Sequence, residues 1–371
     1  MKKQKKIKSL LACLPLALAF LIAPLTSQAQ IAGYNLILVH GFVIEDIVTP
    51  PSYADLLARR KVSDYWQARA EGYLNWSGKK RIEGGIATDV YNQALTLAQN
   101  GTCNAGCVVL THSTGDLVLR YFLANQAAWL QSAGYPPLNI VATLDFAGAG
   151  GGTGLADVAV GTVSGGSFLA DQIWAVEMMW GLDLGSMTLG QMGVINDLAT
   201  SKARSLANFP MSTPRLRISV DGTGNLLEIG MGQVRTITKT ILIGSDDTVV
   251  PAHSTCGSSS PWAYESCSSN VDYEGKQGWE PAPSSYMPNH FPIVMAHDYD
   301  HFQITQDVHK GKAAFVQNNF NANGLQVSLT EWWHVVTAPW WQPWVNTGTW
   351  QYIGQSDYKS LSKVVYQQLN D

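Results

Sequence analysis

Apolar positions along this chain fall into short runs separated by turn-forming residues, and each run predicts an element. Asn35-Leu36-Ile37-Leu38-Val39, Cys107-Val108-Val109-Leu110, Val141-Ala142-Thr143-Leu144-Asp145-Phe146-Ala147 and Thr240-Ile241-Leu242-Ile243-Gly244 read as strands. Residues 117–124 carry apolar side chains at helical spacing, 173–180 form a strongly apolar stretch, and 308–320 reads as a helix. Residues 257–292, rich in Ser, Pro, Tyr and Gly, predict a long irregular loop. There is no internal repeat, no glycine-rich phosphate loop and no dinucleotide fingerprint.

Chemistry-bearing residues stand where these runs end. Thr111-His112-Ser113-Thr114-Gly115 places Ser113 on a sharp turn between an apolar strand and a helix, which is how a nucleophile is presented. Such a turn brings strand and helix close, so small residues flank the serine two positions away. Gly115 meets that condition, whereas Thr111 stands in place of a glycine. Upstream, the strand ending in His40-Gly41-Phe42 resembles the oxyanion loop of α/β-hydrolases, which would make the amides of Phe42 and Thr114 the oxyanion donors. Downstream, Asp247 follows the run ending at Gly244, with Asp246 beside it as a turn-former. His301 offers a base ahead of the last predicted helix and is preferred to His297, whose plainer role is a loop contact with Asp298 or Asp300. The order Ser113, Asp247, His301 is that of α/β-hydrolases and differs from the chymotrypsin and subtilisin orders. A serine hydroxyl is a weak nucleophile near neutrality, so an imidazole must take its proton and a carboxylate must orient that imidazole.

With those motifs in place, the chain resembles a secreted bacterial lipase of the true-lipase group of α/β-hydrolases, over about residues 34–320. Gly151-Gly152-Thr153-Gly154-Leu155-Ala156-Asp157 and Arg215-Leu216-Arg217-Ile218-Ser219 carry the resemblance further. It implies an α/β-hydrolase fold: a mostly parallel central sheet flanked by helices, with a helical cap or lid inserted at about 153–200. The apolar helix in that insertion is either a mobile lid or ordinary core packing. Related lipases hold a structural calcium through an acid two residues after the catalytic histidine. Gln303 stands there, so no cofactor is expected, and Asp298, Asp300 and Asp307 are the remaining oxygen-rich set. Thr114 and Asp116 also depart from the family pattern; Asp116 suits a first helical turn through the helix dipole. Asp145 is the second candidate for the acid, because some hydrolases carry it after this strand.

Charge and processing signals add the setting. Residues 1–29 have a basic start, an apolar stretch to Leu25 and Ser27-Gln28-Ala29 ahead of Gln30, a signal-peptide pattern with cleavage near Ala29. The expected location is secreted or periplasmic. Removing this segment takes five lysines and no acids, leaving 19 basic against 28 acidic side chains and a formal charge of −9. That balance argues against nucleic acid as a partner, and no other stretch is long and apolar enough for a membrane anchor. Without Cys13, four cysteines remain. Their spacing suggests Cys103 with Cys107 and Cys256 with Cys267, although three pairings are open. The hydrolase domain spans 30–371 and ends in a tryptophan-rich segment at about 325–371, suited to packing on the body or to an exposed platform.

The expected function is a serine hydrolase of carboxylic esters, a lipase or esterase acting on ester or lipid substrates, or on a hydrophobic polymer surface. Acyl transfer, amide hydrolysis and polyester cleavage on the same triad are alternatives, as is a non-catalytic binding protein using the tryptophan-rich tail. Oligomeric state is not legible.

Overall fold

A computed structural model describes residues 30–207, 211–222, 231–256, 290–297, 299–310, 312–316, 321–322, 325–326, 334–336, 350–353 and 359–370. Its strands are β1 (Asn35–Val39), β2 (Gly72–Tyr73), β3 (Cys107–His112), β4 (Ile140–Phe146), β5 (Arg215–Asp221), β6 (His290–His297), β7 (Lys312–Val316), β8 (Asn321–Ala322), β9 (Leu325–Gln326), β10 (His334–Val336) and β11 (Trp350–Ile353). Among the described residues, nine of them form one sheet in the order β10-β11-β7-β6-β5-β4-β3-β1-β2, and β8 pairs with β9 separately. From β2 to β6 neighbouring strands are parallel, and β7, β11 and β10 extend the sheet antiparallel.

Parallel strands are covered on both faces, so their side chains are apolar on both. Ile37, Val39 and Val109 enter one core, while Leu36, Leu38, Val108 and Leu110 enter the other, as a period of two requires. The first core is covered by the helices α1 (Ala87–Gln99), α2 (Gly115–Ser132), α3 (Gly154–Val163), α4 (Ala170–Trp180) and α5 (Gly232–Leu242). The second is covered by α6 (Leu361–Asn370) with Trp66. Each large apolar side chain so buried contributes about 1.5–3 kcal/mol. The chain is thus an α/β fold, a mostly parallel sheet flanked by helices. The turns that leave the carboxyl ends of β1 and β3 carry His40-Gly41-Phe42 and Ser113, on the edge of the sheet where ligands of such folds bind.

Several expectations need correction. Thr240-Ile241-Leu242 is the last turn of α5, not a strand. The β-branched content there suggests a strand, but Val234, Thr238 and Leu242 are buried at four-residue spacing, a helical face, and that burial decides the outcome. Ile243 and Gly244, with φ of 43° and 92°, end the helix. The 308–320 segment contains β7 instead of a helix, because β6 and β11 pair with it on both sides. The loop expected over 257–292 gives way to β6 at His290, and 257–289 lies outside the described residues.

Cys103 and Cys107 are bridged, while Cys267 lies outside the described residues. The leader at 1–29 and Trp332, Trp333, Trp340, Trp341 and Trp344 also lie outside them; Trp350 opens β11. Among the described residues no helix is long and apolar enough to cross a membrane.

Candidate active site

Strand β3 ends at His112, and the chain turns at Ser113 with φ of 57°, a left-handed conformation that costs a non-glycine residue about 1–3 kcal/mol. Three backbone bonds hold the strained residue. The Ser113 N–H donates to the Phe146 carbonyl (3.0 Å), and the Ser113 carbonyl accepts from Ala149 (3.0 Å) and Asp116 (3.1 Å). A Cβ on Gly115 would lie 2.6 Å from the Val39 carbonyl oxygen and 2.7 Å from that of His40, so only glycine fits where α2 crosses β1. Thr111 is tolerated two residues before the serine because its hydroxyl donates to Asp145 Oδ1 (2.8 Å) within the sheet.

The turn after β1 lies against this elbow: a Cβ on Gly41 would sit 2.8 Å from Ser113 Cβ. His40 shapes that turn. Its Nδ1–H donates to the Gly41 carbonyl (2.6 Å), its Nε2 accepts from the Trp76 N–H (3.2 Å), and its ring stacks on Trp76 with centroids 5.0 Å apart. Burial pushes His40 down to about 4, which keeps the neutral Nδ1–H form that these bonds need. In a trans peptide the N–H points opposite the carbonyl, so fixing the Gly41 carbonyl toward His40 turns the Phe42 N–H away from it. Thr114 presents its N–H just before the start of α2. Neither amide donates to a described residue.

Asp247 and His301 come together by their side chains and their backbones. His301 Nδ1 lies 2.7 Å from Asp247 Oδ2, and the His301 N–H donates to the Asp247 carbonyl (2.9 Å). The other carboxylate oxygen, Oδ1, accepts from Val249 (3.0 Å) and Val250 (2.7 Å). With its Nδ1 proton held, His301 keeps Nε2 as the basic nitrogen. His112, next to the serine, donates from Nε2 to the His301 carbonyl (2.7 Å), and the two rings lie 4.8 Å apart. Ser113 and His301 are 5% and 3% exposed, so the site is nearly closed to water.

The other candidates are committed elsewhere. Asp246 pairs with Arg235 (2.7 Å) and Lys239 (3.0 Å) of α5. Asp145 accepts from Thr111, Thr143 (3.0 Å) and Arg215 (2.9 Å) and is fully buried. Asp116 does stand in the first turn of α2, but the helix dipole is not its main partner. It is fully buried, paired with Arg120 (2.8 Å) and Arg215, with Arg217 at 3.7 Å. Burial alone would raise its carboxyl, but the arginines hold it down to about 2. His297 ends β6 instead of lying in a loop.

Of the three acids left as an oxygen-rich set, Asp300 and Asp307 have protein partners. Asp300 Oδ1 accepts from the Phe302 and Gln303 N–H groups (both 2.8 Å), while the Asp300 N–H donates to Gln303 Oε1 (3.1 Å). Asp307 pairs with Lys363 (3.3 Å), and Asp298 lies outside the described residues. Among the described residues no three acids, histidines or cysteines group as metal ligands.

Sequence reasoning missed His112, the holding role of His40 and the arginine network beneath the elbow. The network did leave a signal. Arg215 and Arg217 alternate with Leu216 and Ile218 in a run between other apolar strands, so both cations need buried acids.

The strand order and the sharp turn after β3 are the arrangement of an α/β-hydrolase fold, as the sequence resemblance implied. The chain matches no protein-family model and no curated protein sequence. Among solved structures it is similar to the mature form of a Bacillus licheniformis lipase, at 12% identity over 73% of this chain and 86% of that one, TM-score 0.43. It is similar also to a metagenomic carboxyl esterase, at 13% identity over 91% and 74%, TM-score 0.41. A Staphylococcus hyicus lipase matches at 13% identity over 73% and 88%, TM-score 0.40.

Proposed function

We propose that the protein is an exported serine hydrolase that cleaves carboxylic esters through an acyl-enzyme on Ser113. The observation that carries this reading is the doubly joined His301–Asp247 pair, held by His112 next to a serine strained on a strand-to-helix elbow. In this reading His301 Nε2 takes the hydroxyl proton as Ser113 Oγ attacks the ester carbonyl. The amides of Phe42 and Thr114 receive the oxyanion, each contributing about 3–4 kcal/mol of transition-state stabilisation. Collapse expels the alcohol with the proton from His301, and water repeats the cycle to release the acid.

Residues at about 153–200 act as the cap. Its base is tied to the acid loop by the Thr153 hydroxyl donating to the Val249 carbonyl (2.6 Å) and by Gly151 donating to the Ser254 hydroxyl (3.0 Å). Its helix α4 sets Trp180 edge-on to Phe42 at 6.3 Å, while Leu169, Trp174 and Met178 stay exposed. Apolar side chains outside and a nearly closed serine inside suit a substrate with a long acyl chain. Export follows from the leader pattern at 1–29, and the Cys103–Cys107 bridge suits an oxidising compartment.

Hydrolysis of p-nitrophenyl esters of rising acyl length tests the reading, with Ser113→Ala as the control. Turnover that vanishes in the variant and rises with chain length is expected; equal turnover by both proteins contradicts it.

A further inference from the structure

We propose that His112 is a positioning residue for the base, its imidazole N–H fixing the His301 backbone against the strand that carries the nucleophile. The inference rests on the reading of Ser113, Asp247 and His301 as the catalytic set. His112 is the last residue of β3 and shares its backbone with the elbow, so any bond it makes is referenced to Ser113. Its Nε2 meets the His301 carbonyl oxygen at 2.7 Å, and a carbonyl only accepts, so the proton sits on Nε2. The same ring approaches the third part of the site, because a Cβ on Gly41 would lie 3.0 Å from His112 Nδ1. One side chain therefore touches the oxyanion turn and the base loop while adjoining the nucleophile. His301 is held to Asp247 at its Nδ1 and its N–H, and the bond from His112 engages its remaining backbone group, the carbonyl.

Charge matters as much as reach. The two rings are 4.8 Å apart and tilted by 41°, so a cation at His112 would oppose the imidazolium that forms on His301 during attack. Burial and the facing His301 ring push His112 down to about 3, which keeps it neutral through the working range. A lysine or arginine could supply a donor to the same carbonyl but would bring that opposing charge. A neutral imidazole supplies the donor alone.

Steady-state kinetics on wild type, His112→Phe and His112→Gln test the proposal. Phenylalanine keeps a ring and loses the donor, whereas glutamine keeps an uncharged N–H near the position of Nε2. The expected result is a fall in kcat of about 30- to 100-fold for His112→Phe, with KM within about twofold, because a small misplacement of a catalytic group has that effect. His112→Gln is expected to recover kcat to within about fivefold of wild type. Wild-type kcat in His112→Phe, or equal losses in both variants, overturns the positioning role.

Nitrogen-15 spectra of the wild-type imidazoles keep the question open to decision if a variant misfolds. They are expected to show His112 neutral and protonated on Nε2 from pH 5 to 8. A proton on Nδ1, or a charged ring at pH 5, overturns the proposal. Absence of Ser113-dependent turnover in wild type would remove the catalytic reading itself, and the spectra would still decide the His112 bond.

Discussion

His301 is joined to Asp247 twice, through its ring at 2.7 Å and through its backbone N–H at 2.9 Å. The first bond orients the imidazole and the second keeps the two loops in register. Asp247→Asn preserves most of the shape but offers Nδ1 the wrong partner. Its kcat is expected to fall about 10³- to 10⁴-fold with little change in melting temperature.

Asp145→Asn should do the opposite. Its carboxylate answers Arg215 in the buried network, so replacing it leaves a cation less compensated and is expected to cost about 3 kcal/mol of stability. Esterase activity measured well below the lowered melting point should stay within a few-fold of wild type. A large loss of kcat with unchanged stability would show Asp145 to be the acid.

The strain at Ser113 predicts an inverse pairing of activity and stability. Glycine accepts a φ of 57° freely, so Ser113→Gly should abolish turnover while leaving the protein as stable or more stable by up to about 1 kcal/mol in urea unfolding. Gly115→Ala should lower stability by about 1–3 kcal/mol and reduce kcat as well, because the added methyl meets two carbonyl oxygens of β1 and its following turn.

Acid should weaken the fold well before the carboxylates protonate. His40 and His253 are held down to about 4 by burial, and His112 to about 3. Below pH 6.5 the unfolded chain takes up protons that the folded chain refuses, so stability falls as pH drops from about 6.5, the His40 and His253 contributions levelling off below about 4 and that of His112 below about 3. For His40, 1% exposed, the loss by pH 5 is about 2 kcal/mol. Denaturant melts at pH 7.5 and 5 check this, and His40→Gln should reduce the difference by about 2 kcal/mol, the part due to His112 and His253 remaining.

The base loop is held by its own side chains, so chelation is expected to leave kcat and melting temperature unchanged. Asp300→Ala, which removes the acceptor for two N–H groups, should lower stability by about 1–2 kcal/mol and reduce kcat about tenfold. Loss of activity in EDTA that added calcium restores would overturn this.

Much of this was legible because parallel strands are short apolar runs with polar residues at their ends. The Asn35–Val39 strand has the bounds read from its apolar residues, and Ser113, Asp247 and His301 lie at turns that the sequence marks with Gly115, Asp246 and Phe302. What stayed hidden depends on contacts distant in sequence. Residues 240–242 have a strand's composition and become helix only because Leu242 reaches a core that other elements build. Asp116 reads as a helix-dipole charge until Arg215, about a hundred positions away, lies against it. His112 likewise looks like a spacer until the His301 carbonyl is placed at its Nε2.

The most direct test is covalent. A fluorophosphonate reacts with an activated serine, and peptide mass spectrometry locates the adduct. The account predicts a single stoichiometric adduct on Ser113, slowed by several orders of magnitude in His301→Ala. No adduct on correctly oxidised, folded protein, or one on a serine other than Ser113, would contradict it.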